Sequence, residues 1–425
     1  MSGVDHTREM AENPPMQTSP ETTSSASRPV LRRTLSTQMA NGGVVLHDPH
    51  RVGQPIGLAP FGWEIARRLD GHRTLLEVQA DLMRLTRGLL VPLDTITNLV
   101  TLLDEAFLLA SPRFEARIRA SNRPPVCIGC YDANPATLRG QLRELFTATG
   151  GPGLPTPGGA KGSPHGRLRA ALLPHMDYGR GNVTYGWGFK ELIEQTDARV
   201  FVIVATSHYS AHRFTLTRQH FETPLGVVET DQTYVDRLES EYGNGLFDDP
   251  LAHFPEHSIE LEVVLLQYLL ENRRPFLIVP LLVGSFGHCV EDGTAPAETD
   301  DIAGMVAALR RAEAACPEPV CYLISGDLAH IGPKFRDKER AAGPWLDESR
   351  RQDEAILGQV ERADPAGYYG VIAAEGDRRR ICGFPPTYLT LEAIRPRVGR
   401  VLHYQQYVAP DGHESVSFAA AAFYE

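Results

Sequence analysis

From about residue 167 onward, short apolar runs alternate with longer segments in which apolar residues recur at helical spacing. The clearest runs are LRAALLPH, RVFVIVATSH, FLIVPLLVG and VCYLISGDLAH. Runs that are apolar at nearly every position are typical of parallel strands buried on both faces, and helices between such strands cover the two faces of one sheet. We therefore predict an α/β domain with a largely parallel central sheet flanked by helices.

The chain before this domain has a different pattern. Residues 1–28 are rich in Ser, Thr, Pro and Glu and have almost no large apolar residue, so we predict a disordered tail. In residues 29–118, Asp70-Gly71 interrupts one amphipathic helix and Thr74 is placed to cap the next. A third helix with an apolar face leads into a short strand at Phe107–Leu109. This order predicts a small winged-helix domain.

The 29–118 segment resembles the PqqD-like peptide-recognition domain, with its aromatic-rich helix, Leu-Asp-Gly turn, Thr-capped helix and closing helix before a Leu-Leu strand. The resemblance implies a bound peptide, and the alternative is a structural cap whose apolar faces are only core. DNA binding is a further habit of winged helices. Because residues 51–120 hold nine Arg and eight Asp or Glu, nearly balanced, we expect no nucleic-acid binding.

Composition and charge limit the partners and the cellular compartment to be expected. The formal net charge of −11 argues against attraction to polyanions, and six cysteines in 425 residues do not form a secreted disulfide framework. The N-terminus lacks the apolar centre of a secretory signal, and no apolar stretch approaches the roughly 18 residues that cross a bilayer. We expect a cytoplasmic protein without a membrane partner. The Gly/Pro-rich residues 149–166 are expected to form a flexible loop within a domain that spans 119–425.

Polar residues that can bind ligands follow three of the predicted strands. LLPHMDY contains His175, VIVATSHYS contains His208, and LISGDLAH contains Asp327 and His330. Because the carboxyl ends of strands form the ligand crevice of an open α/β sheet, we expect these residues to converge. His330 follows Asp327 by three residues, which would place both on one side of a helical turn.

The motifs PHMDYGRG, TSHYS, FETPLG, EHSIELEVVLLQYL, SGDLAHIGPKF, ICGFPP and SFAAAAF, in this order over about 120–425, resemble the Memo family. The resemblance is to the form known as protein B of the AmmeMemoRadiSam system. It implies a fold related to the class III extradiol dioxygenases, and partnership with a radical SAM enzyme and an AMMECR-type protein.

The resemblance also implies roles for residues. His175, His208 and Cys382 match the pocket's metal ligands, and Asp327 and His330 match its catalytic acid and neighbouring His. Two imidazoles with a thiolate or carboxylate suit iron, copper or zinc. The relation to dioxygenases favours iron, whereas Cys382 in place of a carboxylate favours copper or zinc and weakens the case for ring-opening chemistry.

Further residues are candidates for lining this pocket. His257 precedes an apolar helix in EHSIE, where the neighbouring Glu256 or Ser258 is placed to cap the first turn. Asp177 and Tyr178 follow the first expected ligand directly, so either is a candidate for orienting substrate.

A second candidate motif is Cys127-Ile-Gly-Cys130, whose spacing allows a shared metal or a disulfide. We do not favour either role, because no second CxxC supplies further zinc ligands and prolines flank the motif where a thioredoxin-like site has a strand and a helix. The other cysteines, Cys289, Cys316 and Cys321, are expected to be small buried residues.

Motifs of other enzyme classes are not found: the sequence has no P-loop, dinucleotide fingerprint, GxSxG elbow or CxxxCxxC. Two hypotheses remain. The first is a metal-dependent, redox or oxygen-linked enzyme that works with a radical SAM partner on a peptide or small aromatic substrate. The second is a metal-binding adaptor that does not catalyse.

Overall fold

The computed structural model describes residues 24–40, 42–156, 163–243 and 245–425. Contacts divide the described chain into two compact units, one ending at Glu115 and lacking residues 50–52, the other formed by residues 50–52 and 116–425. Most of the predicted tail, residues 1–23, lies outside the described residues, and so do residues 157–162 of the predicted flexible loop.

The first unit is a three-stranded antiparallel sheet followed by helices. Leu46 from the sheet and Ile65, Leu82 and Leu103 from the helices are buried together. The elements are β1 (Ser36–Ala40), β2 (Gly43–His47), β3 (Ile56–Leu58), α1 (Pro60–Ala66), α2 (Leu75–Leu85), α3 (Leu93–Glu105) and α4 (Pro112–Ile118).

The helix signals of this unit hold, whereas the winged-helix prediction is not confirmed. Thr74 caps α2 through a reciprocal pair of hydrogen bonds with Glu77, as its position before the helix indicates. The three strands precede the helices, and the predicted strand at Phe107–Leu109 is reduced to a single bridge between Leu109 and Leu31. Phe107 has φ +59°, a left-handed conformation that an extended strand does not contain.

The second unit is built on a large mixed sheet. Its order is β12-β14-β5-β11-β6-β10-β7, with β13 paired to the other edge of β14. The strands are β5 (Leu168–Leu173), β6 (Val200–Thr206), β7 (Phe214–Leu216), β10 (Leu277–Val283), β11 (Val320–Ser325), β12 (His330–Ile331), β13 (Val398–Val408) and β14 (Ser415–Tyr424).

The sheet is parallel only at its centre. β5, β11, β6 and β10 run parallel, whereas β7 and the C-terminal strands pair antiparallel. The prediction of a largely parallel sheet is therefore wrong at both edges. The cause at one edge is the short Ala-Pro-Asp-Gly turn that joins β13 to β14, because two strands joined by a short turn can pair only antiparallel.

Helices cover both faces of this sheet, as predicted. Alternate strand residues belong to two separate clusters of buried side chains: Val202 and Tyr322 face one, Ile203 and Leu323 the other. The helices are α5 (Pro135–Thr147), α6 (Tyr178–Gly181), α7 (Val183–Gln195), α8 (Gln232–Tyr242), α9 (Glu260–Leu270), α10 (Gly287–Asp292), α11 (Asp300–Ala314), α12 (Gly343–Glu361), α13 (Pro365–Ala374) and α14 (Phe384–Ile394).

A small second sheet adjoins the start of α9. It contains β4 (Asn122–Arg123), β8 (His220–Thr223) and β9 (Gly226–Val228), and the Asn122 amide donates to the Glu222 carboxylate at 3.0 Å. Two short 3₁₀ turns lie at Pro296–Glu298 and Pro333–Phe335. Within the part of the chain that the structure describes, no helix combines the length and apolar character needed to cross a bilayer.

Candidate metal centre

Three neighbouring parallel strands deliver polar side chains to one edge of the sheet. His175 follows β5, Asp327 follows β11 and His208 follows β6, each after one intervening residue. The ring centres of His175 and His208 are 5.1 Å apart, and His175 Nε2 lies 3.6 Å from Asp327 Oδ2. The expected convergence at the carboxyl ends of the strands is therefore present.

Cys382 reaches this edge from the loop between α13 and α14. Two glycines allow the approach: a Cβ on Gly326 would lie 2.3 Å from the Cα of Gly383, and the Gly383 amide donates to the Asp327 carbonyl at 2.8 Å. The Cys382 Sγ consequently lies 3.2 Å from His175 Nε2 and accepts a hydrogen bond from the Asp327 amide at 3.3 Å.

A buried carboxylate organises the opposite side of the cluster. Glu256 is 1% exposed and accepts backbone N–H groups from His208, His257 and Ser258 at 2.8, 2.9 and 3.0 Å. The Nδ1 atoms of His208 and His257 lie 3.0 and 3.3 Å from the same carboxylate, and the two rings stack at 4.8 Å. With both Nδ1 atoms directed at Glu256, Nε2 is the nitrogen of each ring that remains for a metal.

His175 is oriented by a chain of hydrogen bonds in the core. The Ser325 hydroxyl donates to the Ser258 carbonyl at 2.6 Å, so its oxygen is left to accept from His175 Nδ1 at 3.4 Å. This arrangement puts the proton of a neutral His175 on Nδ1 and the lone pair on Nε2, beside Cys382. All three imidazoles therefore present Nε2 to the centre.

Two groups of side chains in the described chain place their ligand atoms within 4.8 Å of one another: His175, His208 and His257 form one, and His175, Asp327 and Cys382 the other. The set taken from the family motifs, His175, His208 and Cys382, is not itself one of these groups. His208 belongs to the first group, Cys382 to the second, and His175 to both. His257 thus stands as close to the centre as the expected ligands.

The pKa values of the three imidazoles are shifted in different directions. Burial lowers the pKa of His175 well below its usual value, and it lowers the pKa of His257 to about 4 although Glu256 opposes the shift. For His208 the effect of burial is outweighed by the Glu256 carboxylate, which raises the pKa. The pKa of Glu256 itself is depressed, because His208 and His257 more than offset its burial.

Asp327 and His330 lie beside the ligands, but not on a common helical turn as predicted. The Leu328 amide donates to the Ser417 carbonyl at 2.8 Å, and Ile331 pairs with Ser415, so the segment is extended along β14. Burial raises the pKa of Asp327 to about 7 and lowers that of His330 to about 4.

The protonation of His330 follows from its contacts. Its Nδ1 lies 3.1 Å from the Leu328 carbonyl and 3.0 Å from the Arg380 carbonyl, so Nδ1 carries the proton and donates. Nε2 is left as an acceptor on a residue that lines the cleft.

The other candidate residues, Asp177, Tyr178 and Ser258, lie in different surroundings. Asp177 lines the cleft and caps α6, and its carboxylate is paired with Arg180. Tyr178 is buried, 4% exposed, and its hydroxyl donates to the Leu261 carbonyl at 2.6 Å, so the structure places it in the core instead of the cleft. The predicted cap residue Ser258 donates its hydroxyl to the Thr206 carbonyl, and no side chain caps the first residue of α9.

These residues border an open cleft of about 740 Å³. His175, His208, His257, Asp327 and His330 lie on its walls, and the same walls include Cys127 and Cys130. A cleft of this size holds a small organic molecule or one side chain of a peptide.

Two residues that shape the centre were not identified from the sequence. Ser325 lies within the predicted strand run LISGDLAH and Glu256 at a predicted helix cap, whereas the two side chains orient His175 and His208. The available signal was the position of Glu256, Glu260 and Glu262 next to and within an apolar helix, because buried carboxylates are rare unless they have partners.

Comparison with known proteins supports a family relationship over most of the chain. A MEMO1 family protein of Aquifex aeolicus is 26% identical over 395 residues, which covers 89% of this chain and 96% of that protein. A MEMO1 family protein of Thermus thermophilus is 27% identical, covering 78% and 93% of the two chains. The memo-1 homolog of Caenorhabditis elegans is 24% identical, covering 61% and 73%.

The Aquifex match is too long to lie within residues 116–425 alone, so it extends into the first unit. The family model described as Memo-like protein matches residues 123–422, a range that contains every residue of the metal centre discussed above. The chain belongs to the family of Memo-like proteins.

Proposed function

We propose that this protein is a metal-dependent, oxygen-linked oxidoreductase that holds one transition metal ion, iron, through His175, His208 and Cys382. The observation that carries the proposal is the convergence of His175, His208 and Asp327 at the ends of three adjacent strands, which Cys382 reaches from the loop before α14. Two imidazoles with a thiolate or carboxylate form a donor set for first-row transition metals, and copper and zinc are the competing ions.

The spacing of one pair of donor atoms, Cys382 Sγ and His175 Nε2, fits such an ion. A metal about 2.3 Å from sulfur and about 2.1 Å from nitrogen, with tetrahedral geometry, separates the two donors by roughly 3.6 Å. The Cys382 Sγ and His175 Nε2 are 3.2 Å apart. A shift of a few tenths of an ångström, with loss of the thiol proton, brings these two donors to that spacing. His208 and Cys382 belong to different groups of ligand atoms in the described chain, so binding by both needs a further approach of His208 to Cys382.

His257 competes with Cys382 as the third ligand. It shares the Glu256 carboxylate with His208 and belongs to the three-imidazole group. Burial raises the pKa of the Cys382 thiol well above the usual value. Metal binding by Cys382 therefore includes the release of a proton that the free protein retains.

The bound metal would supply Lewis acidity and, in the case of iron or copper, redox chemistry. His330 would accept a proton from the substrate at Nε2, since Nδ1 is already held by two carbonyl oxygens. The Asp327 carboxyl lies 3.6 Å from His175 Nε2 and would act as the acid. Its amide and carbonyl meanwhile fix the loop that carries Cys382 and Gly383.

We further propose that the substrate is a peptide or a small aromatic compound. The size of the cleft supports this class. The family resemblance and the PqqD-like pattern of residues 29–118 support a radical SAM enzyme and an AMMECR-type protein as partners, with the first unit as the peptide-binding part. A metal-binding adaptor without catalysis is the alternative, and the thiol in place of a carboxylate favours it.

Replacement of the ligands tests the centre. His175→Ala and His208→Ala should each remove most of the roughly one equivalent of metal that the full-length protein binds, because each deletes an imidazole donor. Metal content is measured by elemental analysis after anaerobic reconstitution. His72→Ala, which removes an exposed imidazole of the first unit, is the matched control and should bind metal normally.

Cobalt(II) identifies the third ligand. The cobalt form should show a thiolate charge-transfer absorption in the near ultraviolet that Cys382→Ser abolishes and both His257→Ala and Cys316→Ser retain. A wild-type cobalt form without this band, whose metal is lost in His257→Ala and kept in Cys382→Ser, would replace Cys382 by His257 in the ligand set. Full metal content in both His175→Ala and His208→Ala would overturn the site.

Catalysis is tested by oxygen uptake of the iron-loaded protein with catechols and with peptides. His330→Gln should keep its metal yet lower the rate by roughly a hundredfold or more, because an amide cannot act as the base. If metal is lost in proportion to activity, His330 only orients a ligand. Stoichiometric metal binding without oxygen uptake on any of these compounds would favour the adaptor.

A further inference from the structure

The Cys127-Ile-Gly-Cys130 motif forms a tight turn. The Cys130 amide donates to the Cys127 carbonyl at 2.8 Å, and Gly129 has φ +108°, a conformation that side chains rarely adopt. A turn closed by this hydrogen bond keeps its first and last Cα atoms within about 7 Å, and disulfides join cysteines whose Cα atoms are about 4.4–6.8 Å apart. The backbone thus already brings the two cysteines to bridging range.

The two thiols differ in exposure and acidity. Cys127 is 2% exposed, whereas Cys130 is partly exposed. Interaction with the neighbouring Cys127 thiol lowers the pKa of Cys130 to about 7, whereas interaction with Cys130 together with burial raises the pKa of Cys127. An accessible thiolate backed by a buried thiol is the arrangement of an attacking and a resolving cysteine.

A network centred on Glu260 fixes the turn. The amides of Val126 and Cys127 donate to the Glu260 carboxylate at 3.0 and 2.9 Å, and the Tyr131 hydroxyl donates to it from the other end of the turn. Arg123, fully buried, pairs with the same carboxylate. The turn is therefore held from both sides, which keeps the cysteines together without a covalent link.

The turn forms part of the wall of the cleft. Cys127, Ile128 and Cys130 line the same cleft as His175 and His208, and the Ile128 side chain between the cysteines is 47% exposed. Neither cysteine joins a group of three metal-ligand atoms in the described ranges of the chain. A metal held by these two thiols is thus less well supported than a reaction between them.

We propose that Cys127 and Cys130 form a reversible dithiol–disulfide pair on the wall of the cleft and exchange with low-molecular-weight disulfides of the glutathione class. The Cys130 thiolate attacks one sulfur of the disulfide RSSR, the S–S bond breaks, and RS⁻ leaves and takes up the proton that Cys130 lost. The Cys127 thiol then attacks the Cys130 sulfur, gives up its proton, and releases the second RSH. The balance is two protein thiols plus RSSR giving one protein disulfide plus two RSH, a two-electron oxidation of the protein.

Equilibration of the full-length protein with graded ratios of reduced and oxidised glutathione tests the pair. After acid quenching and alkylation, mass spectrometry should show two alkyl groups lost together from the peptide that contains residues 127–130. Cys127→Ser and Cys130→Ser should each abolish this transition. Cys316→Ser, which removes a partly exposed cysteine that does not line the cleft, should leave it unchanged.

The single variants also test the order of attack. Cys127→Ser should accumulate a glutathione adduct on Cys130, because the resolving thiol is missing, whereas Cys130→Ser should accumulate little adduct on Cys127. In the wild type at pH 7, alkylation of Cys130 by iodoacetamide should be at least roughly tenfold faster than that of Cys316.

Full alkylation of both Cys127 and Cys130 in the most oxidising buffer would overturn the proposal. Equal adducts in the two variants would overturn the assignment of attacking and resolving thiols. Neither result depends on the metal centre, because the readouts are thiol counts.

Discussion

Glu256 and Glu262 lie six residues apart and are both buried, yet the pKa values of their carboxyl groups are shifted in opposite directions. Glu256 accepts three backbone N–H groups and faces two imidazoles, and its pKa is depressed. Neither oxygen of Glu262 has a partner of good hydrogen-bond geometry among the described residues. Burial raises the pKa of Glu262 well above its usual value, and the Asp327 carboxyl adds to the shift while Ser325 opposes it.

Glu260, between them, shows which factor decides. It is as deeply buried as Glu262, but Arg123 pairs with it and the amides of Val126 and Cys127 donate to it. Its pKa is lowered although burial alone would raise it. The presence of hydrogen-bond donors and cationic partners, not the degree of burial, therefore decides whether a buried carboxyl group is ionised and organises a polar site or stays neutral in the core.

The difference has a structural origin. Glu256 precedes α9, where backbone N–H groups have no intrahelical acceptor and are free to converge on a carboxylate. Glu262 lies inside the first turn of α9, which is buried at nearly every position, near Tyr178 of α6 and Tyr185 of α7. The first position supplies donors from the main chain, and the second supplies mostly apolar neighbours.

The largest effect is expected from replacing Glu256, the buried carboxylate that accepts hydrogen bonds from the backbone. Glu256→Gln should lower the free energy of unfolding by roughly 2–4 kcal/mol at neutral pH, because an amide cannot accept from all three N–H groups and leaves buried donors unsatisfied. Metal affinity should fall about 10–100-fold, since His208 and His257 lose the carboxylate that holds Nδ1. Urea denaturation and metal titration measure the two quantities.

Glu222→Gln is the matched control for this variant. Glu222 is partly exposed and accepts a hydrogen bond from Asn122 in the small sheet, so its replacement should cost less than about 1 kcal/mol and leave metal affinity unchanged. Equal losses in the two variants would mean that Glu256 has no special role in orienting the imidazoles.

Sequence patterns predicted the residues that follow strands better than those that follow turns. His175, His208 and Asp327 were identified because each follows an apolar run, and parallel strands bring such positions together. The direction of Tyr178 was missed, since it depends on how the short helix α6 begins at Asp177. The helical turn expected at Asp327–His330 failed because pairing with β14, distant in sequence, decides the local conformation.

The edge strands were missed for a related reason. β13 and β14 contain polar or small residues, such as Gln405, Gln406 and the alanines 419–422, that do not give a strong strand pattern. The Pro410-Asp411-Gly412 turn was the available hairpin signal. The contact between Glu256 and His208 could not be derived, since the two residues are 48 positions apart, and Glu262 has no partner of good hydrogen-bond geometry among the described residues.

The smallest effect is expected from Glu262→Gln. This variant should raise the free energy of unfolding, whereas Glu256→Gln should lower it. In the folded protein Glu262 keeps its proton to a higher pH than in the unfolded chain, so its contribution to stability is fully present below the unfolded pKa and is lost as pH rises through the folded pKa. Glu262→Gln keeps the shape and removes the ionisation. The variant should therefore match the wild type near pH 4 and be more stable by roughly 1–3 kcal/mol near pH 8. Denaturation across this range, with the exposed Glu354→Gln on α12 as control, measures the difference. A stability gain that does not grow with pH, or a loss at pH 8, would show that Glu262 is charged and has a partner, and the contrast with Glu256 would fail.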